Sequence, residues 1–351
     1  MSKIVLLTGA SGFVALHVLD ALLKKNYHVI GTVRSKGKAD TITKEFKNEY
    51  PEANLDFEIV RDIGAQNAFD EVFQRHPKIT DVIHTASPFS YGLNQDLKDA
   101  YLTPALEGTK NILEATQKFG KDVKHVVITS SYVSVLHYDK RGDRSFVHTE
   151  ETWNPIVWED VNDEYTAYFA SKKLSEQFAH KFASDNKPKW SLTAVNPPFI
   201  FGPQKFDSAL QNSSLNTSAD FLNQLLRSDP KNTNLFEGAS GPSADVRDVA
   251  RLHVLAIEND DLSGKRLLPY PFNFTFQSLL DILHNEFPEL NGKIAKGKPE
   301  ETEEQLSREI WAVDTSETSK ITGINDWIPL EKTVKDAASQ ILKYRKSKPS
   351  Q

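Results

Sequence analysis

The feature that most constrains this chain is its opening. An apolar run, Ile4–Thr8, passes straight into Gly9-Ala10-Ser11-Gly12, and Phe13–Lys24 follows with apolar residues at helical spacing. A buried strand that turns over two glycines into an amphipathic helix is the first βα unit of a parallel sheet. Gly9 permits the tight turn. Gly12 lets a phosphate approach the backbone N–H groups at the helix N-terminus, where the dipole favours anions. A third glycine is expected at position 15. Ala15 stands there, small enough for close helix–strand packing.

The same alternation continues. Strands are expected at Ile4–Thr8, His28–Val33, Asp56–Val60, Asp81–Thr85, Val123–Thr129 and Ser191–Asn196, and helices starting near Phe13, Lys36, Ala65, Gln95 and Tyr165. The strands are rich in Val and Ile and barely alternate, as strands buried on both faces do. The expected class is α/β, a Rossmann doubly wound parallel sheet with a smaller C-terminal substrate-binding region. The boundaries read as 1–200 plus about 245–260 for the dinucleotide-binding domain, 201–244 and 261–345 for the substrate region, and a tail of 346–351. Lys231–Pro242 reads as a loop, Asp245–Ile257 as a helix, and Gln277–Phe287 and Leu330–Tyr344 as further helices. The charged residues from Arg345 onward are expected to fray.

Composition removes whole classes of function. The 351 residues include no cysteine, so disulfides, zinc–thiolate sites and thiol nucleophiles are excluded. A net charge of −6 gives no basic field for nucleic acid or anionic lipid. No apolar run reaches the roughly 20 residues that span a membrane, and no signal peptide precedes the glycine loop. A cytoplasmic monomer or homodimer acting on a small molecule is the expectation.

Cofactor choice is read at the end of the second strand. Enzymes that use NAD carry an acid there, roughly 20 residues after the glycines, for the ribose 2′-OH. Here the strand ends in Arg34, followed by Lys36 and Lys38, with no acid at Thr32, Val33 or Arg34. A guanidinium pairs with a 2′-phosphate and a carboxylate repels it, so NADPH is expected. Which of Lys36 and Lys38 assists Arg34 stays open. Thr8, Ser11, Phe13 and Val14 of the opening, Asp62 and Ile63 past the third strand, Thr85-Ala86-Ser87 past the fourth and Thr129 at the end of the fifth complete the expected cofactor contacts.

Chemistry is expected from Tyr168 and Lys172, one helical turn apart and therefore on one face. A free phenol titrates near pH 10, and a neighbouring ammonium is expected to lower it and to reach the cofactor as well. Tyr168 then exchanges a proton with a carbonyl oxygen. Val126–Thr129 leads into Ser130-Ser131 at the C-terminal edge of the sheet, where open parallel sheets place ligands. Ser131 is the expected donor to that oxygen, with Ser130 as the alternative. The ten histidines form no metal constellation; His84, His76 and His253 read as core or surface residues. Glu150-Glu151 and Glu301–Glu304 read as solvated.

The motifs TGASGFVA (Thr8–Ala15), HTASPF (His84–Phe89), TSSY (Thr129–Tyr132), YFASK (Tyr168–Lys172), NPPFIFGPQ (Asn196–Gln204) and DVRDVA (Asp245–Ala250) stand in the order seen in one family. With them the chain resembles the extended short-chain dehydrogenase/reductases, in their dihydroflavonol and cinnamoyl-CoA reductase branch. It is most similar to the yeast NADPH-dependent methylglyoxal and carbonyl reductases, including EETWNP (Glu150–Pro155) and ASQIL (Ala338–Leu342). The resemblance implies a Ser131/Tyr168/Lys172 triad, nicotinamide contacts at Pro197, Phe199 and Ile200, and a substrate pocket of Phe89, Tyr132, Val133, Thr166 and Phe199. It implies reduction of aldehydes, α-dicarbonyls and prochiral ketones to alcohols, reversible as an alcohol dehydrogenase. Pro198 departs from the family pattern in the pocket wall. Glu107 stands where relatives carry Asn and is not counted as catalytic. The rival readings are a nucleotide-sugar epimerase or dehydratase that recycles NAD, and a non-catalytic NADP(H) sensor.

Overall fold

The computed structural model describes residues 3–87, 95–212, 215–232, 239–309 and 311–347. The chain divides into two compact units: Met1–Leu136 with Glu150–Asn196 and Ala250–Leu268, and His137–Thr149 with Pro197–Val249 and Pro269–Gln351.

The first unit is built on seven strands: β1 (Ile4–Thr8), β2 (His28–Val33), β3 (Leu55–Ile59), β4 (Asp81–His84), β5 (His125–Thr129), β6 (Ser191–Val195) and β7 (Arg266–Leu267). They lie in the order β7-β6-β5-β4-β1-β2-β3, every pair parallel. The order reverses between β1 and β4, so the C-terminal ends of those strands flank the crevice where such sheets take ligands. Val5, Leu6, Leu7, Val82, Ile83, Val126 and Val127 have no exposed surface. Both faces are covered, which is why the strand sequences do not alternate.

Helices α1 (Phe13–Lys24), α2 (Lys36–Glu49), α3 (Asp70–Arg75), α4 (Thr103–Phe119) and α5 (Glu164–Asn186) belong to this unit. Two starts differ from the sequence expectation. The helix expected from Ala65 begins at Asp70, because Asn67 sits in the left-handed region at φ 59° and the residues before it form turns. The helix expected from Gln95 begins as a π-helical turn at Lys98–Leu102. There the Thr103 N–H donates to the Lys98 carbonyl, and Pro104 follows with no N–H to give. At α5 the Asp163 carboxylate accepts from the Thr166 N–H at 2.7 Å, while Thr166 Oγ1 accepts from the Asp163 N–H, a reciprocal cap.

The second unit holds three strands in the order Phe272–Phe274, Gly241–Asp245, Phe199–Phe201. Pro242, expected in a loop, lies in the middle strand, but pairing with Phe199–Phe201 begins only at Ser243, so its missing N–H is not needed on that side. Helices Thr217–Leu225, Phe276–Glu286 and Leu330–Ser347 supply Leu222, Leu279, Leu280, Leu283, Val334 and Ala338 to one apolar core with Phe201 and Phe274. The fraying expected from Arg345 is not seen over Arg345–Ser347, and the rest of that tail lies outside the described residues. The last helix runs to Ser347, and Arg345 donates to the carbonyls of Leu226 and Asn223 at 3.1 and 3.2 Å, closing the C-terminal end of the neighbouring helix.

Among the described residues no helix is long and apolar enough to cross a membrane, and no group of three or more acids and histidines could hold a metal ion.

Candidate active site

The glycine turn is tightly constrained. Gly9 has φ +65°, and a Cβ there would stand 2.8 Å from the Ala86 Cα. The ends of β1 and β4 are laced together around it: Thr85 Oγ1 donates to the Thr8 carbonyl at 2.6 Å, and the Ala86 N–H donates to Thr8 Oγ1 at 3.2 Å. Gly12 caps α1 with no side chain over the helix N-terminus, and Ser11 and Gly12 are exposed while Phe13 and Val14 are half-buried. Ala15 is buried at 1% exposure, in keeping with its packing role. This is a cradle shaped for a dinucleotide's diphosphate.

At the end of β2, Arg34 is exposed and has no ion-pair partner among the described residues. Ser35 caps α2 and accepts from the Lys38 N–H at 3.4 Å, so Lys36 and Lys38 stand exposed on the first helical turn beside Arg34. Asp62 is exposed and its Oδ1 accepts from the Gly64 N–H at 2.9 Å. Ile63 is half-buried against the core, and its carbonyl accepts from Asn111. Ser87 is half-buried. The residues present therefore suit an NADPH molecule: a glycine cradle for the diphosphate and unpaired positive charge where a 2′-phosphate would lie.

Tyr168 and Ser131 come together in the first unit. The Tyr168 hydroxyl donates to Ser131 Oγ at 3.4 Å, and Lys172 Nζ donates to the Thr129 carbonyl at 3.4 Å. Thr129 Oγ1 is taken by His253 Nε2 at 2.7 Å. Lys173, next in sequence, is committed to the Ile156 carbonyl at 2.7 Å, so the helical period alone selects Lys172. The two serines separate cleanly. Ser130 donates to the Glu176 carboxylate and lies 3.2 Å from the Ser134 hydroxyl, whereas Ser131 faces Tyr168.

The electrostatics correct one expectation. Burial pushes the Tyr168 phenol above its ordinary value, more than the Ser131 contact lowers it. Lys172 is not among the groups that shift it, so the lowering expected from the neighbouring ammonium is not seen. Burial also brings the Lys172 ammonium down to about 8, against the opposing charge of Glu176. His84, behind the site with Nδ1 2.8 Å from Thr8 Oγ1, is held neutral at about 3 by burial and by the Lys172 charge.

Of the expected pocket residues, Tyr132 is buried and Val133 half-buried in the turn after Ser131. The Thr166 hydroxyl is engaged in the cap of α5. Phe89 lies outside the described residues, as do 233–238 of the expected loop. Within the second unit Pro197 is buried, Pro198, Phe199 and Ile200 are half-buried, and the Phe199 ring packs on Phe221 and Phe274 at 5.9 and 5.2 Å. Glu150, expected to be solvated, is 6% exposed, and its carbonyl accepts from Arg266 at 2.8 Å. Sequence reasoning missed Glu176, Arg266 and Asn196. The available signal was Glu176 at one further turn beyond Lys172.

A parallel seven-stranded sheet with this glycine turn and a Ser–Tyr–Lys cluster at its C-terminal edge defines a dinucleotide-dependent oxidoreductase of the extended short-chain type. Residues 5–268 match the NAD dependent epimerase/dehydratase family, and the chain belongs to it. It is 41% identical over 349 residues to the NADPH-dependent methylglyoxal reductase GRE2 of Saccharomyces cerevisiae, covering 97% of this chain and 98% of that protein. To the putative NADPH-dependent methylglyoxal reductase GRP2 of Candida albicans it is 38% identical over 343 residues, covering 97% and 99%. Among solved structures, Gre2 from Candida albicans in complex with NADPH superposes with a TM-score of 0.92 at 40% identity, covering 97% of this chain and 99% of that one.

Proposed function

We propose that this protein is an NADPH-dependent carbonyl reductase acting on aldehydes, α-dicarbonyls such as methylglyoxal, and prochiral ketones, and working in reverse as an alcohol dehydrogenase. The observation that carries the reading is the convergence of the Tyr168 and Ser131 hydroxyls, 3.4 Å apart, at the C-terminal edge of the sheet. Its relatives' names and the NADPH complex of a similar structure support it. When bound in the glycine cradle, NADPH supplies the hydride.

The chain's own residues handle orientation and the proton. Ser131 Oγ and Tyr168 Oη can both donate to one substrate oxygen. The raised phenol keeps Tyr168 protonated at neutral pH, as a proton donor must be. Once its proton is given, the Lys172 ammonium stabilises the phenolate left behind. Pro197, Phe199 and Ile200 are assigned to the nicotinamide, and Pro198 and Phe199 to the substrate pocket. A cytoplasmic monomer or homodimer is part of this proposal.

The test follows cofactor absorbance with NADPH and NADH separately, against methylglyoxal, an aliphatic aldehyde, an α-diketone and an aryl ketone. NADPH oxidation with at least one carbonyl is expected. Tyr168→Phe is expected to abolish it while NADPH binding stays nearly intact. Wild-type rates in that variant would sink the role of Tyr168.

A further inference from the structure

Beneath the Ser–Tyr–Lys cluster lies a buried ionic network that the chemistry above does not use. Glu176 is one turn beyond Lys172, so Tyr168, Lys172 and Glu176 share one face of α5 at successive turns. The Glu176 side chain has no exposure and that of Arg266 has 7%. Glu176 Oε1 accepts from Arg266 Nε at 2.5 Å. Glu176 Oε2 accepts from Ser130, from Ser134 and from Asn196 Nδ2, the last at 2.7 Å. The Ser131 carbonyl accepts from Asn196 Nδ2 at 3.4 Å, and Ser134 Oγ, 2.6 Å from that carbonyl, has a single proton that it shares between the carbonyl and Glu176. Arg266 is anchored in turn by the carbonyls of Glu150 and Thr152 at 2.8 and 2.6 Å and lies 3.8 Å over the Trp153 ring.

A buried ion pair is a poor stabiliser, because desolvation of both charges offsets their attraction. Packing therefore does not account for placing one under the site. We propose that Glu176 is a positioning residue for the carbonyl reduction: its carboxylate fixes the backbone of Ser131 through Ser134 and Asn196, and it sets a fixed negative charge one helical turn from Lys172. The inference rests on the function proposed above for its kinetic consequence only.

The charges around Lys172 are few. Glu176 is ionised: burial alone would raise it, but His180, Arg266 and Ser130 bring it to about 2. His180 Nε2 stands 3.8 Å from Glu176 Oε1, and Arg266 offsets part of the carboxylate's field. His84 is neutral, and Tyr168 is protonated. Among the described residues Glu176 is thus the group that supports the Lys172 ammonium against burial.

The test is Glu176→Gln, with two readouts. The first is the titration of Lys172 in protein labelled at lysine Cε, followed by NMR and assigned with Lys172→Arg; it needs no turnover. The Lys172 midpoint is expected to fall by about one pH unit, a roughly tenfold loss of proton affinity. The second is the pH profile of kcat in the reductive direction, whose alkaline limb is expected to move down with it, while KM for NADPH at acidic pH stays within about twofold because the glycine cradle is untouched. If Glu176→Gln does not fold, the double variant Glu176→Gln/Arg266→Met, which removes both buried charges together, carries the same titration. A lower Lys172 midpoint supports the proposal, and an unchanged midpoint in the folded variant overturns it. Wild-type protein that reduces no carbonyl would instead refute the proposed function, and the lysine titration would still decide the role of Glu176.

Discussion

Replacing Arg34 by Ala tests the cofactor reading at the residue that sets it. Arg34 ends β2 with its guanidinium exposed and has no ion-pair partner among the described residues, so its removal breaks nothing in the fold. A hydrogen bond to a charged group is worth about 1.5–3 kcal/mol. The site is open to solvent, and salt screens exposed charges beyond about 8 Å at physiological ionic strength. Lys36 and Lys38 also remain on the next turn. The lower half of that range therefore applies, and NADPH affinity is expected to fall roughly 10- to 40-fold. NADH offers a hydroxyl in place of the phosphate and is expected to change by no more than about twofold. Fluorescence titration of both cofactors, at low and at high salt, measures this. The wild-type preference should itself shrink as salt rises. Equal losses for NADPH and NADH would refute the 2′-phosphate role, and unchanged NADPH binding would refute it as firmly.

Two further outcomes follow from the ionisation of buried groups. Lys172 holds its proton only up to about 8, so the rate of carbonyl reduction should decline as pH rises through that value, read from kcat over pH 6–10. A rate that stays flat to pH 10 would remove Lys172 from the proton balance. At the opposite, N-terminal edge of the sheet, His125 Nδ1 lies 2.6 Å from the fully buried Asp81 carboxylate and Nε2 lies 2.8 Å from Asp260. His125 is raised, chiefly by Asp81, so its stabilisation is complete below its unfolded value near 6.5 and is lost as pH rises through the folded one. Asp81 is lowered: burial opposes this, but the contacts from His125, Thr80 and Lys3 prevail. Its contribution is present above about 3.9 and is lost as pH falls through the folded value. Thermal unfolding across pH should show the plateau between those limits, and His125→Asn should remove the decline on its neutral side; an unaltered profile would dismiss the cluster.

What could be read from the sequence was local. The glycine turn is contained in Gly9–Gly12, and the pair Tyr168 and Lys172 in one helical turn, so spacing alone placed both. The parallel sheet covered on both faces was legible because unbroken apolar runs such as Val126–Ile128 suit strands buried on both sides, whereas the strand order was not read from the sequence. Features made by tertiary contact were not legible. Ser130 and Ser131 are neighbours with the same side chain, and only Glu176, 46 residues on from Ser130, decides which of them is held below the site. Arg266 is 90 residues from Glu176, and its guanidinium is drawn in by carbonyls of Glu150 and Thr152 that carry no side-chain signature.

The Tyr168 phenol shows why such contacts matter to chemistry as well as to packing. From spacing alone a lysine one turn away implies a lowered phenol, since the nearby charge is visible in the sequence and the burial is not. In the fold burial pushes the phenol up, and the one opposing contact that lowers it is with Ser131. The same burial acts on Lys172 in the opposite sense and brings it down to about 8. Tyr168 therefore stays protonated at neutral pH, and the phenolate it leaves on donating needs the Lys172 ammonium, which is present only up to about 8. The carboxylate of Glu176 is the group that keeps that ammonium within the working range, which is why a residue that touches no substrate belongs to the account of the reaction.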